Sequence, residues 1–366
     1  MPANIGLLLP WTASGAVTAI TEVAEPDAMK RRVFLQLVGG ALTEPALEWL
    51  LARPAEDIES SAGRRILHHH VDGVEKITAQ LRRMDDQFGG GTVLDLVQAH
   101  IRYVLTLLRN HRYTASVGTR LHGAAAELLR LAGWLSFDAG HQAQAQRYWL
   151  AALRGAHAAD DRALGANILG FMSCQAKDLK RYGEATKLAE AARHGYPGAS
   201  PRVTAILSLR AAEAYSQTGE VAECTNAIDT AYEAVRATPH DSDPDWSYWL
   251  NEAQVNAQAG YCFLRLEDWH RSQSHLRTAL RLQDDACSRE ASLRQALLAM
   301  TYARQGDPEQ ASEVGARAVD LLADDVNSQR CVGHVRRLQR SLAPYRKVAS
   351  VADFDERVNG LFGVPA

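Results

Sequence analysis

The stretch Gly260-Tyr261-Cys262-Phe263, Ser272-Gln273-Ser274-His275-Leu276 and Ala279 decides the fold. A small residue is followed twelve positions later by a second small residue, and seven positions after that by Ala. The same register recurs at Gly133/Ala145/Ala152, Ser173/Ala185/Ala192, Ala212/Cys224/Ala231 and Ala299/Ala311/Ala318. The closing alanines lie 40, 39, 48 and 39 residues apart. That is a solenoid-scale period. Two antiparallel helices approach closely only where the side chains between them are small. Bulky residues fill the gaps beside these positions: Tyr215, Phe263 and Tyr302 three after the first small residue, Trp149, Ile228 and Leu276 four after the second. Gly140, Gly219 and Gly306-Asp307-Pro308 supply turns between the helices. Two repeats are weaker. One has Lys180-Arg181-Tyr182-Gly183 as its turn, and the other has Gly315 where a bulky residue is expected.

Outward from this array, the remaining sequence is helical as well. Ile66, His70, Val74, Ile77, Leu81, Met84 and Phe88 are spaced by three or four and predict one buried stripe. Gly89-Gly90-Gly91 predicts its end and Thr92 the cap of the next helix, buried through Val93, Leu96, Val97, Ile101, Val104, Leu105 and Leu108. Residues 1–55 are short apolar pieces cut by prolines; Thr43 with Pro45 marks the start of a helix. The division expected is short helices over 1–55, a helical region over 56–125, about five repeats over 126–323 and capping helices over 324–366. Nothing alternates with a β period, so the fold class is all-α.

Composition narrows the function. The 366 residues carry 40 Lys+Arg against 43 Asp+Glu, a net charge of -3, which excludes a globally basic nucleic-acid binder. There are 60 Ala, as close helix packing requires, and 34 Arg against 6 Lys, a bias read as high-GC coding. Five cysteines without a CxxC argue against a disulfide framework or zinc site and fit a reducing cytoplasm. No stretch is long and apolar enough to span a membrane. Lys30-Arg31-Arg32-Val33-Phe34-Leu35 looks like a twin-arginine export signal, but Glu44 and Glu48 follow soon after; a basic helix start is the preferred reading, an exported binding protein the alternative.

The register resembles the tetratricopeptide repeat, a helix-turn-helix unit of about 34 residues that stacks into a right-handed superhelix. Pro10-Trp11-Thr12, Met29 to Leu35, Pro45-Ala46-Leu47-Glu48-Trp49-Leu50, Asp85-Asp86 and Leu131-Ala132-Gly133-Trp134 further resemble a group of high-GC bacterial regulators. Those join an N-terminal helix-turn-helix DNA-binding domain to a tetratricopeptide region, and this chain begins past the place of that domain. The resemblance implies a sensor linked to transcriptional control. It also implies a hollow face lined by the first helix of each repeat: Glu127, Arg130 and Trp134; Asn167, Gly170 and Cys174; Ile206, Leu209 and Glu213; Gln254, Ala257 and Tyr261; Leu293, Ala296 and Met300.

From that set, Arg130 suits a carboxylate, Asn167 and Gln254 a peptide backbone, and Trp134 and Tyr261 apolar walls. Cys174 and Glu213 share the face. Trp246 and Trp249 follow the loop Pro239-His240-Asp241-Ser242-Asp243-Pro244-Asp245 and are candidates too, against the plainer reading that they start the next helix. The competing reading for all nine is packing. Consecutive His68-His69-His70 point about 100° apart on a helix and are not expected to hold a metal; His70 reads as a core histidine. The basic run His334 to Arg340 reads as the solvated face of a cap. Asp160-Asp161 and Asp324-Asp325 read as helix-end carboxylates. No nucleophile, phosphate-loop or metalloprotease motif is present, so neither enzyme activity nor a cofactor is expected. The expected function is a cytoplasmic sensor that binds a peptide or small molecule, with a protein partner or a second copy, little DNA binding and no membrane. A ligand-free protein–protein scaffold is the alternative.

Overall fold

The computed structural model describes residues 9–24, 36–55, 58–60, 63–88, 90–196, 198, 200–237, 242–283, 288–323 and 328–363. The twin-arginine segment, Gly89, Pro239-His240-Asp241, Cys287 and Asp324-Asp325 lie outside the described residues. The fold is all-α. Sixteen helices are described, with one two-residue parallel strand pair, Arg64–Arg65 against His111–Arg112.

Four helices come first: α1 (Ala13–Ala24), α2 (Gly40–Leu51), α3 (His68–Phe88) and α4 (Gly90–Asn110). The other twelve pair through short turns: α5 (Ala115–Asp138) with α6 (Gln142–Ala158), α7 (Arg162–Asp178) with α8 (Tyr182–Gly195), α9 (Pro201–Thr218) with α10 (Val221–Arg236), α11 (Glu252–Arg265) with α12 (Trp269–Leu282), α13 (Ser288–Arg304) with α14 (Pro308–Ala323), and α15 (Gln329–Leu342) with α16 (Ala349–Phe362). The first helix of each pair also packs on the first helix of the next.

The small-residue register sits in the seams. Every alanine in it is buried, and so are Cys224 and Ser272. A Cβ on Gly133 would stand 2.3 Å from Nε1 of Trp149, and one on Gly260 2.6 Å from Cγ of Leu276. The bulky residue of one helix therefore seats on the bare backbone of its partner. The serines also bond across: Ser173 Oγ donates to the Ala185 carbonyl at 2.7 Å and Ser272 Oγ to that of Gly260 at 2.8 Å. Gly315 has its explanation here: Leu338 and Phe354 of the last pair fill the space beside it. Left-handed turn positions are Gly140, Gly219 and Gly306, and in the second and fourth pairs, which have no such glycine, Lys180 and Glu267 take their place at φ 61° and 60°.

Several boundaries differ from the sequence reading. The first pair begins at Ala115, and the final two helices form a sixth pair packed on the fifth. Helix α4 begins at Gly90, before Thr92, and α2 begins at Gly40, with Pro45 inside it. The stripe assigned to α3 is corrected too. Val71, Val74, Thr78, Leu81, Arg82 and Asp85 face inward, whereas Ile77 is 48% exposed and His70 only half-buried. Leu96 of α4, expected in the core, is 49% exposed. The apolar residues of these two helices divide between the body and an open groove.

Helices α1 and α2 brace the second helices of the first pairs: α1 packs on α6, α2 on α8 and α6. Trp49 lies fully buried against Gly165 and Gly195, with the Arg162 guanidinium 5.0 Å from its ring. Arg154 donates to the Leu9 carbonyl at 2.5 Å and lies over Trp11; Arg181 donates to the Leu37 carbonyl at 2.7 Å.

Three outcomes follow from this packing. Gly133→Ala forces Trp149 aside and lowers stability by about 1–3 kcal/mol in urea unfolding. Glu267→Gly relieves a left-handed residue and raises it by about 1 kcal/mol; equal effects of the two substitutions would contradict the seam geometry. His122, buried in α5, has its pKa lowered by burial to about 4. The unfolded chain takes up this proton near pH 6.5 and the folded chain does not, so stability is lost as pH falls. Between pH 7 and 5.5 the loss from this residue is about 1 kcal/mol, and His122→Leu removes that share of the slope.

Candidate functional site

The first helices of the pairs bring most of the predicted residues onto one face. On α7, Asn167, Phe171 and Cys174 form one stripe at spacings of four and three. Phe171 is its centre. The Arg130 guanidinium of α5 stands 5.4 Å from the Phe171 ring, and that of Arg210 from α9 stands 5.6 Å from it. Trp134 is 5.4 Å from the same ring and carries the Arg330 guanidinium 5.1 Å from its own. One turn along α7, Lys177 Nζ reaches Glu213 at 2.8 Å and lies 4.5 Å from the Tyr261 ring. Arg210 Nη1 reaches the other oxygen of Glu213 at 3.1 Å. Gln254, two turns from Tyr261 on α11, accepts from Arg294 Nη2 at 2.9 Å.

The charges are tuned by one another. Burial works against ionisation of both Lys177 and Glu213, yet Asp178 and Glu213 hold the lysine pKa well above its ordinary value, and Lys177 and Arg210 hold that of Glu213 below its own. Burial pushes Tyr261 up to about 12 and raises Cys174, which is therefore a neutral thiol rather than a poised thiolate. His334, part-exposed, is lowered well below its usual value, first by burial and then by Arg337, Arg330 and Lys177.

A second network closes the face across nearly two hundred residues. Arg289 Nη1 at the start of α13 meets Asp85 Oδ1 of α3 at 3.1 Å. Asp138, at the end of α5, accepts from Ser328 Oγ at 3.0 Å and from Arg330 Nε at 3.2 Å. The first pair thus touches the last, and α3 touches the first and the fifth. Tyr248 donates to Asp86, and Arg82 lies 5.9 Å from the Tyr248 ring and pairs with Glu127.

Unmatched buried donors among the described residues include Nε1 of Trp49 and Nε of Arg82 and Arg289; on this face two more belong to residues with no ion pair or side-chain hydrogen bond among the described residues. Arg130 is 6% exposed, its Nε has no hydrogen-bond partner among the described residues, and burial pulls its pKa down to about 10. Asn167, 2% exposed, has an Nδ2 without a partner likewise. A buried unmatched donor costs about 1–3 kcal/mol, so such atoms need a reason.

The nine predicted residues therefore separate. Arg130, Trp134, Asn167, Cys174, Glu213 and Tyr261 gather around Phe171 and Lys177, and Gln254 continues the face one pair further. Trp246 is buried in the core and Trp249 packs against it; the residue of that segment that reaches across is Tyr248. The histidine triplet lies elsewhere, with His69 and His70 rings 4.0 Å apart and Leu67 N donating to His70 Nδ1. Sequence reasoning missed Phe171, Lys177, Arg210, Arg289 and Arg330. Lys177 follows Cys174 by three on the same face and was within reach of the register. Arg330 precedes the basic run and carries no local signal; only its distant partners Asp138 and Trp134 reveal it.

No family model matches the chain, and no curated protein matches it.

Removing one member of the long-range network leaves charges stranded. Arg289→Met is expected to cost about 3–5 kcal/mol in urea unfolding. The double variant Asp85→Leu with Arg289→Met recovers a large part of that loss. Additive losses in the two substitutions would count against a coupled buried pair.

Proposed function

We propose that the chain is a non-catalytic regulatory sensor. In this reading the paired helices form a right-handed superhelix of tetratricopeptide-like repeats, braced outside by α1 and α2. The face around Phe171 is its interior and takes a peptide or small molecule. The observation that carries the reading is that Arg130, facing the Phe171 ring, and Asn167, one helical turn before Phe171 on α7, are deeply buried and each keeps an unmatched N–H group among the described residues. A carboxylate or amide group on a ligand accepts from both, and Trp134 and Phe171 cover its apolar part. Contacts between the first and last pairs through Asp138 give ligand binding a way to alter the arrangement, since the same face joins both ends of the array.

The resemblance to regulators links the sensor to transcriptional control through a partner protein or a second copy, with DNA contact a minor expectation. The neutral Cys174 supports binding over catalysis. The four described cysteines are free and buried, which supports a reducing, cytoplasmic setting. Helix α1 before the arginine pair and α2 after it both bury side chains on the body, which supports retention of both and speaks against the exported alternative.

Native mass spectrometry of the chain isolated gently from its own host tests this. The expected spectrum contains a non-covalent adduct that Arg130→Met and Asn167→Leu each deplete at least tenfold. Their circular dichroism and helical content stay unchanged. A bare mass from the unaltered chain, or an adduct indifferent to both substitutions, contradicts the reading.

A further inference from the structure

The corrected faces of α3 and α4 leave an open apolar groove. Its volume is about 760 Å³. Helix α3 lines it with Lys76, Ile77, Gln80, Arg83 and Met84, and α4 with Leu96, Ala99 and Tyr103. Ile77, Leu96 and Tyr103 are each exposed by about half, at 48%, 49% and 49%. Large apolar side chains clustered in one exposed groove mark an interaction site rather than ordinary surface. The groove also lies beside the first pair of a stacked array, where polar outer faces are the norm for solubility. At the far end Phe354 and Val358 of α16 are buried, whereas this end presents Ile77 and Tyr103.

Charge narrows the occupant. Lys76 and Arg83 are exposed, and no acidic residue among the described ones lines the groove. The acidic residues of α3 are engaged elsewhere: Asp72 and Glu75 both pair with Arg120 at 2.6 Å, and Asp85 pairs with Arg289. Neither Lys76 nor Arg83 makes a close ion pair among the described residues, and seven residues apart on a helix they are separated by about 10.5 Å along its axis. A helix lying in the groove meets both with carboxylates at the same spacing.

We propose that this groove docks an amphipathic helix of a protein partner, with an apolar stripe at i, i+4 and i+7 flanked by acidic residues seven apart. The apolar stripe seats between Ile77 and Tyr103, and the carboxylates face Lys76 and Arg83. The mode is a helix in a groove, with affinity from the buried stripe and selectivity from the charged rim.

The test uses the full chain and two labelled synthetic helices of eighteen residues. Both carry the same leucine stripe; one is flanked by Glu, the other by Lys at the same positions. Fluorescence anisotropy is expected to show saturable binding of the Glu helix, at least tenfold tighter than the Lys helix. Ile77→Asp abolishes it. The exposed double variant Lys76→Glu with Arg83→Glu reverses the preference, and its melting temperature shows that the fold is intact. Salt weakens binding of the Glu helix severalfold between 50 and 300 mM. Absence of saturable binding, equal binding of the two helices, or binding indifferent to Ile77→Asp overturns the proposal. So does a concentration-dependent dimer in sedimentation that Ile77→Asp dissolves, because a second copy then covers the groove.

Discussion

The contact of Trp149 with the bare backbone of Gly133 is the constraint on which the rest depends. With no Cβ there, the indole lies across α5 and donates to the Arg130 carbonyl at 3.2 Å. The seam draws α5 and α6 together, and it fixes where the opposite side of α5 points. Arg130 and Trp134, on either side of Gly133, are then directed at α7 and meet Phe171. The same logic runs down the array, with Leu276 on Gly260 placing Tyr261 toward Lys177. Close packing of small residues thus positions a set of large polar and aromatic ones.

What collects on that face is costly. Taking Lys177, Glu213, Arg210, Arg289, Asp85 and Asp138 from water is offset only because each finds an opposite charge or a hydroxyl, and buried ion pairs as a class contribute little net stability over apolar packing. Their geometry instead joins segments remote in sequence. Asp138 ties α5 to α15, and Asp85 ties α3 to α13. Arg130 and Asn167, without such partners among the described residues, are among the places where this logic breaks, and sites that break local rules are where function is sought.

The all-α class and the seam positions were legible because small residues at fixed spacing have one economical use. The candidate residues Arg130, Trp134, Asn167, Cys174, Glu213 and Tyr261 came from the tetratricopeptide resemblance, which sets their offsets to the small positions, and the contacts with Phe171 and Lys177 bring most of them together. Their partners were not legible. Asp138 meets Arg330 across 192 residues, and no local period encodes such a meeting. The stripe of α3 failed for a related reason. Ile77 and Val74 are both apolar and fall within one helical turn, so periodicity cannot separate the edge facing the body from the edge lining a groove. Thr78, Arg82 and Asp85 reach the interior as polar groups, and a hydrophobic pattern places such residues outside.

The most direct measurement of the central claim is an experimental high-resolution structure of the chain purified from its own host without denaturation. The account predicts density for an additional molecule beside Phe171, with acceptor atoms within 3.2 Å of Arg130 Nε and Asn167 Nδ2, a distance set by ordinary N–H···O geometry. An interior in which both donors are met by the protein's own side chains, with Trp134 and Phe171 in contact with protein alone, would contradict it.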